Sequence, residues 1–261
     1  MPSRLTLQLA SLPTGKVEGV YGAQKNELPY RMRLLAPDAA ESYLRELAGA
    51  VVVSDMFRSP ESSLAAVRAG RGAQPPSRSL HNFGIAIDLD TGRTRKKMVM
   101  DLGMPSVSKK ELDDWMEKRG WYCHRRDHGS GKTKDHPSDE SWHYNFLGVG
   151  AMISPTVKST SGYAEQEIVK RYGAAWTNVT DKEAQQLLTE LRLYHGAIDG
   201  DLGPLSTEAI RAFQRTWGLI ATNAQGKEVA TRKAVLVGVL EPFTVRTLVY
   251  VTCARDIKTL P

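Results

Sequence analysis

Two short stretches hold the residue types of a metal centre. In "FGIAIDLD", residues 83–90, alternation sets Ile85, Ile87 and Leu89 on one side of a strand and Ala86, Asp88 and Asp90 on the other. The apolar side faces a core. A carboxylate held on the opposite side without a partner costs about 3–5 kcal/mol, by comparison with broken buried ion pairs. A cation supplies that partner. His81, held by a turn at Gly84, reaches the same ion, because imidazole nitrogen and carboxylate oxygen both suit Zn²⁺ at roughly 2.0–2.2 Å.

A catalytic zinc takes three protein ligands and keeps one position open for water. The third ligand is expected in "DESWHYNF", residues 139–146, where His143 follows Glu140. Glu140 is close enough in sequence to bond the activated water as general base while His143 binds the metal. Taken singly, these residues have plainer readings: a histidine beside a strand as a hydrogen-bonded structural group, an aspartate after an apolar run as a cap. Asp90 stands open between helping the site and ending a strand. Of the other histidines, His124, His128 and His136 sit in or beside a polar loop and His195 near a turn, and all four read as solvated surface.

The elements that must position these groups carry clear punctuation. Asp38 and Glu41 open a helix whose inner face holds Tyr43, Leu44 and Leu47 and which Gly49 ends. "AVVVS" (50–54) follows as a strand, then a helix with Ser59 as cap, Pro60 at its first position and Gly70 as its stop. Ser108 and Glu111 form a capping box for a helix that buries Leu112, Trp115 and Met116 and stops at Gly120. Residues 124–140, "HRRDHGSGKTKDHPSDE", have almost no apolar side chain and read as an exposed loop. Small, polar, turn-prone residues begin at 151. Beyond them, Thr180 and Glu183 cap a helix with Leu187, Leu188 and Leu191 inside. Gly200, Leu202 and Pro204 then recur as Gly238, Leu240 and Pro242, each set leading into a helical pattern. Three helices joined by two glycine-proline turns fit this part of the chain.

Composition narrows the partners. The formal net charge of +6 on 261 residues suits polyanionic surroundings. The basic residues are scattered and no nucleic-acid-binding motif is present, so bacterial cell wall is favoured and nucleic acid is not expected. Cys123 and Cys253 have no metal-type or redox-type spacing, and a structural disulfide is not expected. No apolar stretch approaches the roughly 20 residues of a spanning helix, so stable membrane insertion is not expected. The first residues are too short and too polar in their apolar patch for a signal peptide, which implies synthesis in the cytoplasm.

The spacing of Ser79, His81, Gly84, Ala86 and Asp88 resembles the S-x-H-x-x-G-x-A-x-D motif of zinc-dependent peptidoglycan peptidases, the D-alanyl-D-alanine carboxypeptidases and L-alanyl-D-glutamate endopeptidases. Glu140, Trp142 and His143 are similar to that family's second motif, E-x-W-H or D-x-x-H. The resemblance implies that His81, Asp88 and His143 bind Zn²⁺ and that Glu140 is the catalytic base. "SDMFRSPE" resembles the family's S-G-x-R-S segment, which implies that Arg58 binds a substrate carboxylate or carbonyl, with Ser79 nearby. Asp55 stands where the family often has glycine, which puts the local turn in question. The resemblance covers roughly residues 20–150.

Asp199, Gly200, Gly203, Pro204, Thr207, Ala209, Phe213 and Gln214 resemble the pattern of a peptidoglycan-binding domain, with Ser206 inserted before Thr207. Its second copy looks degraded, Glu241 replacing a glycine. Leu188, Leu191, Ile210 and Phe213 are expected to be core.

The fold expected is therefore α+β: a small antiparallel-sheet zinc peptidase domain at 1–150, a linker at 151–175, and a three-helix peptidoglycan-binding domain at 176–261. The function expected is a monomeric peptidoglycan hydrolase, an endolysin made in the host cytoplasm and acting on the wall in the periplasm after release. It would cut the peptide stem as an L-alanyl-D-glutamate endopeptidase. A D-alanyl-D-alanine carboxypeptidase, and a non-catalytic wall-binding protein with a structural metal, stay open beside it.

Overall fold

The computed structural model describes residues 37–56, 58–70, 74–123, 140–152 and 178–258. The polar loop at 124–139, with His124, His128 and His136, and most of the expected linker lie outside them. The chain divides into two compact units, and the division is not collinear with the sequence. One takes the described residues up to Arg58 and from Leu80 to 152; the other takes Ser59–Ser79 and residues 178–258.

The first unit is a four-stranded antiparallel sheet with helices. Its strands are β1 (Val53–Asp55), β2 (Ala86–Leu89), β3 (Trp121–Cys123) and β4 (His143–Phe146), in the order β1-β2-β4-β3. Helix α1 (Pro37–Ser42) runs on into a π-helical turn over Tyr43–Leu47. Asp38 lies inside its first turn rather than capping it, and Leu44 is exposed while Ala39, Tyr43 and Leu47 make the buried stripe. Ile85, Ile87 and Leu89 are buried, as the alternation predicts.

Asp90 belongs to a helix that its sequence barely advertises. Its side chain accepts from Arg93 N at 2.9 Å and caps α3 (Thr91–Leu102), a highly charged helix held by buried Met98 and Thr94. Thr94 Oγ1 in turn accepts from Val52 N at 3.0 Å, tying this helix to the approach to β1. The capping box of α4 (Lys109–Glu117) forms as expected, with Leu112 and Met116 buried and Trp115 half-buried under the Arg119 guanidinium. Tyr144 Oη donates to Asp113 Oδ1 at 2.7 Å, which fastens that helix to β4.

In the second unit Ser59 caps α2 (Pro60–Arg68) by accepting from Ser62 N. Helices α5 (Asp181–Glu190), α6 (Pro204–Thr216) and α7 (Pro242–Lys258) enclose a core of Leu188, Ile210, Phe213 and Leu248. Leu191, expected to be core, packs at its margin. The hairpin β5 (Ile220–Thr222) and β6 (Glu228–Ala230) is an addition to the three helices that the sequence pattern suggests.

Two fully buried glutamines explain the glycine-proline repeat. Gln185 Oε1 accepts from Gly200 N at 2.7 Å while its Nε2 donates to Asp201 O at 2.9 Å and Asp199 Oδ1 at 3.0 Å. Gln214 Oε1 accepts from Gly238 N at 2.8 Å while its Nε2 donates to Leu236 O at 2.9 Å and Thr244 Oγ1 at 3.0 Å. Each glutamine thus closes one turn whose glycine has positive φ, +90° and +75°. Glu241 is no sign of decay in the second copy: its carboxylate accepts from Phe243 N and from Thr244 N, at 2.5 and 2.9 Å, at the start of α7.

Gly120 ends α4 with φ +83° and brings the chain into β3. A Cβ there would lie 2.8 Å from Gly148 C and 2.9 Å from Val149 N, main-chain atoms that cannot rotate away. Gly120→Ala is therefore expected to destabilise the sheet unit by about 2 kcal/mol or more, read as a lower midpoint in denaturant unfolding; an unchanged midpoint would contradict this packing.

Candidate metal centre

Asp88 and His143 face each other directly across the β2–β4 ladder, so antiparallel pairing alone puts the carboxylate beside the imidazole. His143 Nδ1 lies 2.8 Å from Asp88 Oδ1. His81 enters from a 3₁₀ turn, Leu80–Phe83, which leads into β2. Its Nε2 lies 3.2 Å from Asp88 Oδ1 and 3.1 Å from His143 Nδ1. The structure thus brings His81, Asp88 and His143 together.

The donor set fits Zn²⁺. Two imidazoles and one carboxylate offer ligand atoms that all lie within 4.8 Å of one another, and among the described residues these three would fill all but one position of a tetrahedral ion. Two ligands at about 2.0–2.2 Å from a tetrahedral ion sit about 3.3–3.6 Å apart. The separations of 2.8–3.2 Å are only a few tenths of an ångström tighter. Such small shifts convert hydrogen-bonded contact into coordination about a common centre.

Groups around the cluster fix the rings. His81 Nδ1 lies 2.7 Å from Met56 O, and since a carbonyl only accepts, Nδ1 carries the proton and Nε2 points its lone pair at the cluster. His143 Nε2 lies 3.0 Å from Asn145 Oδ1. Neither Met56 nor Asn145 is signalled by a motif; the two-residue step from His143 along one strand face is the cue that would have found Asn145.

The electrostatics agree with a cation site. Burial opposes ionisation of Asp88, but the field of His81 and the polar contacts with His143 and His81 outweigh it and hold the carboxyl far below its usual range. Burial likewise opposes the charged form of His143, yet its hydrogen bond to Asp88, the Asp88 charge and the nearby Glu140 carboxylate raise its pKa. The pocket stabilises positive charge, whether a proton or a metal ion supplies it.

Glu140 sits in the turn just before β4, where His143 N donates to Glu140 O at 2.9 Å. Its φ is +39°, a conformation that costs a non-glycine residue about 1–3 kcal/mol. Next in the turn, Trp142 is 40% exposed, and its carbonyl accepts from Leu89 N at 2.9 Å.

Arg58 is pinned beside His81 through its main chain. Arg58 N donates to His81 O at 3.1 Å, and Asn82 Nδ2 donates to Arg58 O at 2.8 Å. Its guanidinium meets Asp55 Oδ2 through Nη2 at 2.5 Å and Nε at 3.1 Å, while Asp55 Oδ1 accepts from Met56 N at 2.9 Å. Asp55 therefore builds the turn that its departure from glycine puts in question. Ser79 is buried two positions before His81, and His195 is exposed, as expected. Cys123 is buried, and its Sγ lies 3.9 Å from Ser141 O. Among the described residues, no helix is long and apolar enough to cross a membrane.

Comparison with known families finds that the family model described as "Putative peptidoglycan binding domain" matches residues 180–229. This span holds α5, the Gln185-clamped turn, α6 and the hairpin, and it supports a peptidoglycan-binding module and association with the cell wall. No curated protein and no solved structure matches the chain.

Titration with Zn²⁺ is expected to show one tight equivalent for the wild-type chain. His81→Ala and Asp88→Ala should each weaken it by more than the roughly 10–100-fold that loss of an outer hydrogen bond causes. Undiminished zinc uptake by either variant, with the fold retained by circular dichroism, would remove this cluster as the site.

Proposed function

We propose that the protein is a zinc-dependent peptidase of bacterial peptidoglycan, joined to a module that holds it on the wall. The observation that carries this reading is the convergence of His81 Nε2, Asp88 Oδ1 and His143 Nδ1 on one point. Among the described residues three ligands meet, rather than the four of a closed structural site, which favours a catalytic role. The motifs around them resemble the L-alanyl-D-glutamate endopeptidases and D-alanyl-D-alanine carboxypeptidases, and the wall-binding span at 180–229 supplies the matching substrate. Within that family we take the L-alanyl-D-glutamate bond as the target and an endolysin as the type of enzyme.

In this mechanism His81, Asp88 and His143 would hold the ion, which when bound supplies Lewis acidity for the scissile carbonyl and for water. Glu140 takes a proton from the attacking water as the new C–O bond forms. It then gives that proton to the nitrogen of the breaking C–N bond, so that an amine leaves and a carboxylate remains. Arg58, already oriented by Asp55, offers its guanidinium to a carboxylate or carbonyl of the stem peptide. The wall module raises the local concentration of an enzyme whose substrate is an immobile polymer.

Strain at Glu140 is independent support. An unfavourable φ retained by a carboxylate residue beside the cluster agrees with a positioned base, because a purely structural turn would be more stable with glycine.

Glu140→Ala is expected to lower amine release from purified peptidoglycan about 10²–10⁴-fold while leaving zinc content at one equivalent, and Glu140→Gly should be as inactive with an equal or higher melting temperature. Retained activity in Glu140→Ala would refute the base. A fall in melting temperature that parallels the loss of activity would instead favour a structural metal, and fragment masses from wild-type digests would name the bond.

A further inference from the structure

Asn145 lies two residues beyond His143 on β4, in register with Ala86 of β2 and with Tyr122 of β3. It is 0% exposed. Burying a carboxamide this deeply is costly unless its polar atoms are used, and one of them is aimed at the metal cluster: Oδ1 is 3.0 Å from His143 Nε2.

A carboxamide oxygen can only accept a hydrogen bond, so Nε2 must be the protonated nitrogen of His143. That leaves Nδ1, the atom 2.8 Å from Asp88 Oδ1 and 3.1 Å from His81 Nε2, as the nitrogen able to offer a lone pair to an ion. An amide turned the other way would set a donor against Nε2, drive the proton of the neutral ring to Nδ1 and abolish the ligand. The two histidines thus use opposite nitrogens, each set by an acceptor behind it: Met56 O for His81, Asn145 Oδ1 for His143. The acceptor behind His143 is neutral, which adds no further negative charge to a pocket that already holds Asp88 and lies near Glu140.

We infer that Asn145 is a positioning residue of the metal centre, which fixes the His143 tautomer that presents Nδ1 to the ion. The inference rests on the reading of His81, Asp88 and His143 as metal ligands. Ala86, fully buried opposite Asn145, leaves the carboxamide room on the site face of the sheet.

The test is a competition titration of the full chain with Zn²⁺ and a chromophoric chelator. Asn145→Leu, similar in shape but unable to accept, is expected to bind zinc about 10–100-fold more weakly than wild type, and Asn145→Asp, which keeps an acceptor, should restore most of that loss. Equal affinity in folded Asn145→Leu and wild type would overturn the inference while leaving the metal centre intact; a wild-type chain that takes up no zinc would overturn the metal reading itself and this inference with it. A second measurement needs no variant. In zinc-loaded wild type labelled with ¹⁵N-histidine, His143 is expected to show a protonated Nε2 and a metal-bound Nδ1, and a ring bound through Nε2 would overturn the assignment.

Discussion

A single carboxylate, that of Asp88, organises the sheet unit. It stands on the central pair of strands, opposite His143 in the ladder and within 3.2 Å of His81. Removing such a group from water costs several kcal/mol, which only a positive partner offsets. Both histidines, arriving from a 3₁₀ turn and from a neighbouring strand, are placed to help hold a cation against it. The order β1-β2-β4-β3 follows from the same need, because His143 meets Asp88 only if β4 lies beside β2.

Around that carboxylate, position is fixed by backbone more than by side chains. Arg58 is bonded through its own amide and carbonyl to the turn that carries His81. Asp55 then aims the guanidinium and completes the turn after β1. Glu140 is held by a turn that closes onto His143 N, with its φ in an unfavourable region. Arg58 is thus tied to His81, and Glu140 to His143, by short covalent and hydrogen-bonded paths.

Much of this was legible in the sequence because it lies in short-range pattern. The alternation of Ile85, Ile87 and Leu89 against Asp88 survives as burial, and the boxes at Ser108–Glu111 and Thr180–Glu183 form as written. Helix α3 was hidden because "TGRTRKKMVMDL" buries chiefly Met98 and Thr94, too little for an apolar period to show. Leu44 was misplaced because the chain widens to a π-helical turn there, and the angular step per residue changes. Glu241 looked like damage because a motif records residue types, whereas the turn needs an acceptor for the amides of Phe243 and Thr244, and a carboxylate serves. Asn145 was invisible because its role depends on a ring nitrogen.

The paired glutamines also constrain how the wall module recognises its polymer. Gln185 and Gln214 occupy the amides of Gly200 and Gly238 and the carbonyls of Asp201 and Leu236 from within. Those main-chain groups are already committed, so the turns offer a ligand their outward side chains rather than their backbone. Their shape is held without any ligand, and a rigid surface meeting a repetitive polymer loses little conformational entropy at each encounter. Such a module suits many brief, reversible contacts along a strand, so that the rest of the chain can shift along the wall without leaving it.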